Sequence, residues 1–254
     1  APAETIAKYP LESMAEVPGV PAKNRSIYAA MVDEMDQGIG RLMETLDNLN
    51  LSKNTVVWFL SDHGGLKRTS DNRPLRGAKG NAYEGGLRVP FVVRWPKQIK
   101  PGAVLDHPVT SLDIGATALA LAGGDVQQAG LHGSDITTYM TGQSADAPHD
   151  VLYWHTGSGP KDISGVLREG DYKLLAQHGR VQLFNIKEDP CESTDLAKAQ
   201  PKRAERMLAR WKAWNEKSQP PLWDGNRGKQ AKNDYQYADY EWLKGTPHYK
   251  AKDK

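Results

Sequence analysis

The sequence predicts an α/β domain with a mainly parallel sheet, followed by a small four-stranded antiparallel sheet with one helix. Three observations carry this. A long amphipathic helix pattern runs directly into a short apolar strand. A second apolar strand and an Ala-rich helix follow after a polar, glycine-rich connection. From about residue 150 the pattern changes to short strand segments separated by tight turns. These changes divide the chain into 1–148 (α/β part), 149–218 (antiparallel sheet plus helix) and 219–254 (an aromatic, basic tail).

The elements follow in order. Residues 1–23 hold Pro2, Pro10, Pro18, Gly19 and Pro21 and read as an extended surface segment. Asn24 can cap what comes next. Tyr28, Met31, Val32, Met35, Ile39, Leu42, Met43, Leu46 and Leu49 recur at helical spacing, with Asp33, Glu34, Asp36, Arg41, Glu44 and Asp47 on the wet side. Gly38 and Gly40 within it form no dinucleotide loop, because no strand precedes them. Thr55–Leu60 reads as a strand buried on both faces. Residues 61–88 form a connection long enough to suggest function. Val89–Trp95 is a second strand, with Pro90 tolerated near its start. Leu112–Leu121 is a helix stopped by Gly123-Gly124. Strands are expected at 151–154, 165–168, 172–176 and 182–184. An amphipathic helix at 202–217 turns Met207, Leu208, Trp211 and Trp214 to one side.

Composition narrows little. With 33 Lys/Arg against 31 Asp/Glu the net charge is +2, which selects no partner. No apolar run approaches the ~18 residues of a membrane-spanning helix. From Pro201 onward, 13 Lys/Arg face 7 Asp/Glu among several Trp and Tyr residues. Such interleaving can grip nucleic acid or an acidic polymer. No nucleic-acid motif accompanies it, so the preferred reading is a strap anchored by aromatics. Cys191 is the one cysteine, and no internal disulfide can form. The opening Ala-Pro-Ala-Glu has neither the features of a signal peptide nor an initiator Met. The chain is therefore expected to begin in mid-protein.

Chemistry concentrates in two motifs. Ser61-Asp62-His63-Gly64-Gly65 follows the first strand, where α/β sheets place their sites. An adjacent carboxylate and imidazole on a glycine-loosened backbone can turn toward one metal ion. The same turn is also ordinary turn chemistry, and both readings stay open on these five residues. The second motif runs from Arg76 to Pro90. Its glycines bring backbone close to an anionic ligand, and Lys79 supplies a compact positive charge suited to a sulfuryl or phosphoryl oxygen. A surface lysine in a glycine loop is the plainer alternative. Arg76, Glu84 and Arg88 read as a buried ion-pair scaffold.

Together these motifs resemble the sulfatase family, within the alkaline-phosphatase-like superfamily. Leu75 to Pro90 matches the family's Leu-Arg-Gly-x-Lys-Gly-x-x-x-Glu-Gly-Gly-x-Arg-Val-Pro stretch. Asp113, Thr117, Leu119 and Gly123 match its Asp-x-x-Pro-Thr-x-Leu-x-x-x-Gly helix, with Ala116 in place of proline. Tyr172-Lys173-Leu174, Leu183-Phe184-Asn185 and Asp189-Pro190 resemble its closing antiparallel sheet. The resemblance covers roughly residues 1–217. It implies an incomplete alkaline-phosphatase-like sheet and hydrolysis of sulfate esters. Asp62 and His63 would be two ligands of a divalent ion, most readily Ca²⁺, although imidazole suits transition metals better. Lys79 would be catalytic and substrate-binding, and His155 would touch substrate from an overhanging loop. A surface histidine is the alternative for His155.

The family's nucleophile is a formylglycine made within Cys/Ser-x-Pro-x-Arg. Cys191 in Asp189-Pro190-Cys191-Glu192-Ser193 lacks that proline and arginine and reads as an ordinary thiol. The formylglycine is expected in an amino-terminal part outside this sequence, so this chain alone is expected to be inactive. The resemblance implies a sulfated small molecule or carbohydrate as substrate, a complementary amino-terminal part as partner, neither nucleic acid nor membrane, and a periplasmic or secreted location. Two rivals remain: a two-metal phosphomonoesterase or phosphodiesterase of the same superfamily, and a non-catalytic module binding anionic polymer.

Overall fold

The helical pattern after Pro21 becomes helix α2 (Ala22–Asn48) in a computed structural model, which describes residues 1–156, 164–177 and 179–219. Residues 220–254 of the expected aromatic tail lie outside the described residues. Helix α2 starts one turn earlier than Asn24 suggests. The Pro21 carbonyl accepts from the Asn24 and Arg25 amides at 2.9 and 3.2 Å, so Pro21 stands where the cap was sought. The Asn24 side chain donates instead to the Arg68 carbonyl at 3.1 Å. Residues 1–20 are less extended than their prolines suggest. They form helix α1 (Ala3–Ala7), a 3-10 turn at Leu11–Ser13 and a bridge from Val17 to Val20. Side-chain contacts hold the segment to the start of α2: Thr5 to Glu34, Lys8 and Tyr9 to Asp33 at 3.2 Å each, and Ser26 to the Tyr9 carbonyl at 2.6 Å.

The chain forms two compact units. One comprises Met35–Leu60 and Pro90–Asp150. It holds strands β1 (Val57–Leu60) and β2 (Phe91–Arg94), paired antiparallel with Val57 opposite Arg94 and Leu60 opposite Phe91. The expected sheet was mainly parallel. The described strands of this unit give one antiparallel pair, because an apolar run reports burial and not direction. Burial is also incomplete, with Phe59 and Val92 exposed. Helix α4 (Leu112–Leu121) carries Asp113, which is fully buried. Its carboxylate accepts from the Thr110 and Ser134 amides at 2.7 and 2.9 Å and lies 2.9 Å from His149 Nε2. Thr117 Oγ1 accepts from the Ile136 amide just before helix α5 (Thr137–Met140). Asp113 and Thr117 thus pin this unit's loops.

The other unit comprises Ala1–Glu34, Ser61–Val89 and the described residues from Val151 onward. Its sheet is an antiparallel meander of β3 (Val151–His155), β4 (Gly165–Glu169), β5 (Tyr172–Gln177) and β6 (Arg180–Asn185). Successive side chains point to opposite faces, and here both faces are covered. Leu167, Leu174 and Leu183 pack with Ala204, Met207 and Trp211 of helix α6 (Pro201–Asn215). Val166, Leu175 and Phe184 pack with Ala82 and Tyr83 of the glycine-rich connection, just before its short helix α3 (Glu84–Leu87). Trp211 locks the first face: it is fully buried, its indole donates to the Trp154 carbonyl at 3.0 Å, and its ring occupies the space a side chain at Gly165 would need. The second face presents the candidate site.

Candidate functional site

Two loop segments clasp each other against that second face. The Gly64 amide donates to the Gly86 carbonyl at 2.9 Å, the Lys79 amide to Gly65 at 3.1 Å, and the Gly85 amide to Arg76 at 2.6 Å. Asn72 stitches them from the side. Its Oδ1 accepts from the Gly65 amide at 2.9 Å, and its Nδ2 donates to the Gly65 carbonyl at 3.0 Å. A Cβ at Gly64 would overlap the Gly85 carbonyl, and one at Gly86 would overlap that of Asn81. Glycine is required at both because backbone meets backbone. The spacing of the two motifs along the sequence is therefore the spacing of one joined structure.

Asp62 and His63 are brought together. Asp62 Oδ2 lies 3.1 Å from His63 Nε2, and the aspartate side chain is 82% exposed. His63 Nδ1 lies 2.9 Å from the Gly64 carbonyl, which can only accept, and this contact is satisfied in the tautomer that carries its hydrogen on Nδ1. In that tautomer Nε2 and the carboxylate oxygen face each other as two acceptors. A cation shared between them removes that conflict, and the donor set fits one edge of a metal site. Among the described residues no group of three or more His, Cys, Asp or Glu side chains could hold an ion. Asp62 and His63 could therefore hold an ion only with donors from elsewhere.

Lys79 is exposed, while its neighbours Arg76, Gly77 and Ala78 are buried. A fixed backbone thus presents a free-standing ammonium group. His155 is placed apart from this cluster. It ends β3 opposite Gly165, and its ring stacks on Trp211 at 6.3 Å between centroids. The expected scaffold of Arg76, Glu84 and Arg88 is only partly realised. Arg88 is exposed. Arg76 lies 3.9 Å over the Tyr83 ring and donates to the Glu192 carbonyl at 2.9 Å.

The cation that Glu84 pairs with is Lys173 on β5, which sequence reasoning missed. Lys173 Nζ lies 2.8 Å from Glu84 Oε1 and 2.8 Å from Glu192 Oε1, with all three side chains buried. The Glu192 carboxylate also accepts from the Glu84 amide at 2.7 Å. Burial would raise Glu84, but Lys173 holds it below the usual carboxylate range. Burial pushes Glu192 up to about 7 despite Lys173. Burial would lower Lys173, yet the two carboxylates raise it. A lysine inside an otherwise apolar strand was the available signal, since such a charge is buried only when paired. Cys191 is fully buried beside this network. Burial and the charges of Asp189 and Glu192 push its thiol up to about 11, as suits an inert thiol.

Comparison with known proteins places this geometry. The Sulfatase family model matches residues 2–124, and the model described as N-sulphoglucosamine sulphohydrolase, C-terminal, matches residues 78–213. The chain is 36% identical to the steryl-sulfatase of Mus musculus over 152 residues, covering 52% of this chain and 24% of that protein. It is 30% identical to a sulfatase of Formosa agariphila over 239 residues, covering 81% and 43%. The crystal structure of Ps i-CgsB superposes with a TM-score of 0.76 at 29% identity, covering 94% of this chain and 51% of that one. The same protein has been crystallised with a neocarrahexaose. The chain thus spans between about a quarter and a half of the length of these relatives.

Proposed function

The chain belongs to the sulfatase family, and on that premise we propose that it supplies the sulfate-binding loop and two metal donors of a sulfate-ester hydrolase. The observation that carries this is the clasp holding Lys79 on a fixed backbone beside the Asp62–His63 pair. Lys79 would hold the sulfuryl oxygens and offset the charge that develops on the departing alkoxide. Asp62 and His63 would hold a divalent ion, most readily Ca²⁺, which when bound polarises the sulfuryl oxygens. The formylglycine nucleophile has no Cys/Ser-x-Pro-x-Arg motif here, so it would come from residues outside these 254. Met35 and Leu42 of α2, and Phe59 and Val92 of the same unit, are exposed and give a complementary polypeptide apolar side chains to cover. By resemblance to the family, His155 would be a substrate contact, and its ring here stacks on Trp211. The substrate class is a sulfated small molecule or carbohydrate, and the location periplasmic or secreted, by analogy with the family. No described helix is long and apolar enough to cross a membrane.

The test is hydrolysis of 4-nitrophenyl sulfate. The chain alone should show no turnover above background, and turnover should appear when a sulfatase amino-terminal polypeptide carrying the nucleophile motif is added. Turnover by the chain alone that is lost in Cys191→Ala would overturn the assignment of the nucleophile. A preference of the assembled protein for 4-nitrophenyl phosphate would favour the two-metal phosphatase reading.

Calcium binding gives a separate check. Calcium takes six to eight oxygen ligands, and at this site the described residues offer one carboxylate and one imidazole. Isothermal titration of the chain alone should detect no calcium site tighter than about millimolar. A micromolar site abolished by Asp62→Ala would show that this chain holds more of the sphere than these two donors.

A further inference from the structure

Glu192, 108 residues beyond Glu84, grips the Lys79 loop at both ends. Its main-chain carbonyl accepts from Arg76 Nη1 at 2.9 Å, just before Lys79 in the chain. Its carboxylate accepts from the Glu84 amide at 2.7 Å, just after. The turn that carries Glu192 is itself fastened to the sheet. The Glu192 amide donates to the Asp189 carbonyl at 3.0 Å, and the Asp189 amide to Asn185, the last residue of β6, at 2.8 Å. The Asp189 carboxylate accepts from the Ser193 hydroxyl and the Thr194 amide at 3.0 and 2.8 Å. Glu192 is fully buried, and its backbone is left-handed, with φ of 52°. Glycine would take that conformation without strain but could not supply the carboxylate.

We infer that Glu192 is a positioning residue for the loop: through its two contacts it fixes where the backbone presents Lys79. The proposed sulfatase reading enters only in what Lys79 then does. Lys79 is exposed, so its place depends on the backbone beneath it. Tyr83 and Glu84 add ties to Gln182 and Lys173 at the carboxyl end of the loop, whereas Glu192 meets both ends. The grip is also linked to protons. Glu192 is faced by Lys173 from β5, Glu84 from α3, Arg76 from the loop, and Asp189 and Cys191 from its own turn, while Arg88 and Arg168 bear on Glu84. Burial prevails and raises Glu192 to about 7. When the loop lifts, the carboxyl regains water and its ordinary range. A seated loop therefore favours the acid, and seating weakens as pH rises from that ordinary range to about 7. Glu84 is held low and changes little in this window.

Amide hydrogen exchange on the full chain, corrected for intrinsic rates, tests this. In the wild type, opening at the Lys79 and Gly85 amides should be about tenfold easier at pH 8 than at pH 5. Glu192→Gln keeps an acceptor of the same shape without the charge. It should match the wild type at pH 5 and lose the pH dependence. Glu192→Ala should speed exchange of these two amides about tenfold at pH 5, the scale of one hydrogen bond, and leave the amides of β4 and β5 unchanged. Glu192→Gln carries the test even where Glu192→Ala does not fold. In the protein assembled with a nucleophile-bearing polypeptide, Glu192→Ala should lower kcat on 4-nitrophenyl sulfate about tenfold with a smaller change in KM, and Glu192→Gln should restore it. The positioning role is overturned if Glu192→Ala leaves the loop amides unmoved, if the amides of β4 and β5 move with them, if Glu192→Gln fails as Glu192→Ala does, or if the pH dependence survives in Glu192→Gln. If exchange changes as expected while kcat does not, Glu192 fastens the loop without positioning Lys79, and the inference falls with the sulfatase reading intact. If the assembled protein hydrolyses no sulfate ester, the sulfatase reading fails, and exchange alone decides whether Glu192 holds the loop in place.

Discussion

Lys173→Met should lower the unfolding free energy by about 3–5 kcal/mol, the usual cost of removing one partner from a buried ion pair. The lysine is 1% exposed and stands between two buried carboxylates, Glu84 and Glu192. Without it, both carboxylates are buried with no ammonium between them. The loss should also depend on pH in a definite direction. In the folded variant burial would raise both carboxyls, while in the unfolded chain both titrate normally. A carboxyl raised on folding costs nothing below its unfolded pKa. Its penalty grows as the unfolded state ionises and is complete above the folded pKa. Denaturant unfolding should therefore reveal a larger defect at pH 8 than at pH 5. In the wild type the two glutamates oppose each other. Glu84, held low, contributes stability above its unfolded range that is lost as pH falls, whereas Glu192, raised to about 7, costs stability as pH rises toward that value. Adding Glu84→Gln and Glu192→Gln to Lys173→Met should recover most of the loss, because no unpaired charge then remains. A single-variant cost below about 1 kcal/mol with no pH dependence would place this network outside the stabilising core.

Lys79→Ala should leave stability unchanged and act on turnover alone. Its side chain is exposed, and its amide, which donates to Gly65, survives the substitution. In the protein assembled with a nucleophile-bearing polypeptide, 4-nitrophenyl sulfate turnover should fall by about 10²–10³, the usual effect of deleting one preorganised contact to developing charge. The measurement is kcat by steady-state assay beside an unfolding curve. Wild-type turnover in the variant would remove Lys79 from the chemistry and leave its loop as scaffold. A large loss of stability would mean that the side chain is structural.

Much of this was legible in the sequence. Helix periodicity located α2 to within about a turn at its start, and the Ala-rich run stopped by Gly123-Gly124 located α4 at Leu112–Leu121. The four strands of the meander were announced by turn glycines such as Gly170 and Gly179, both at positive φ. Strand direction was not legible. The run around Val57–Leu60 specifies its apolar character, whereas its antiparallel partner is fixed by how the chain returns at Phe91. The site was legible as residue types but not as architecture. Glu84 was visible as a candidate for burial, yet its partners Lys173 and Glu192 lie 89 and 108 residues further along. No local pattern encodes a contact over that distance. The structured start of the chain was hidden for a related reason. Its prolines argue for extension, and what folds it is Thr5, Lys8 and Tyr9 reaching α2.

That separation also sets a clock on biosynthesis. A ribosome adds roughly 5–20 residues per second. The 108 residues from Glu84 to Glu192 therefore take about 5–20 s to emerge. Throughout that interval the glycine loop has left the ribosome while its internal counter-charges have not. Until Lys173 and then Glu192 arrive, the Glu84 carboxylate can stay ionised only in water. The loop carrying Lys79 is thus made well before it can be set in place.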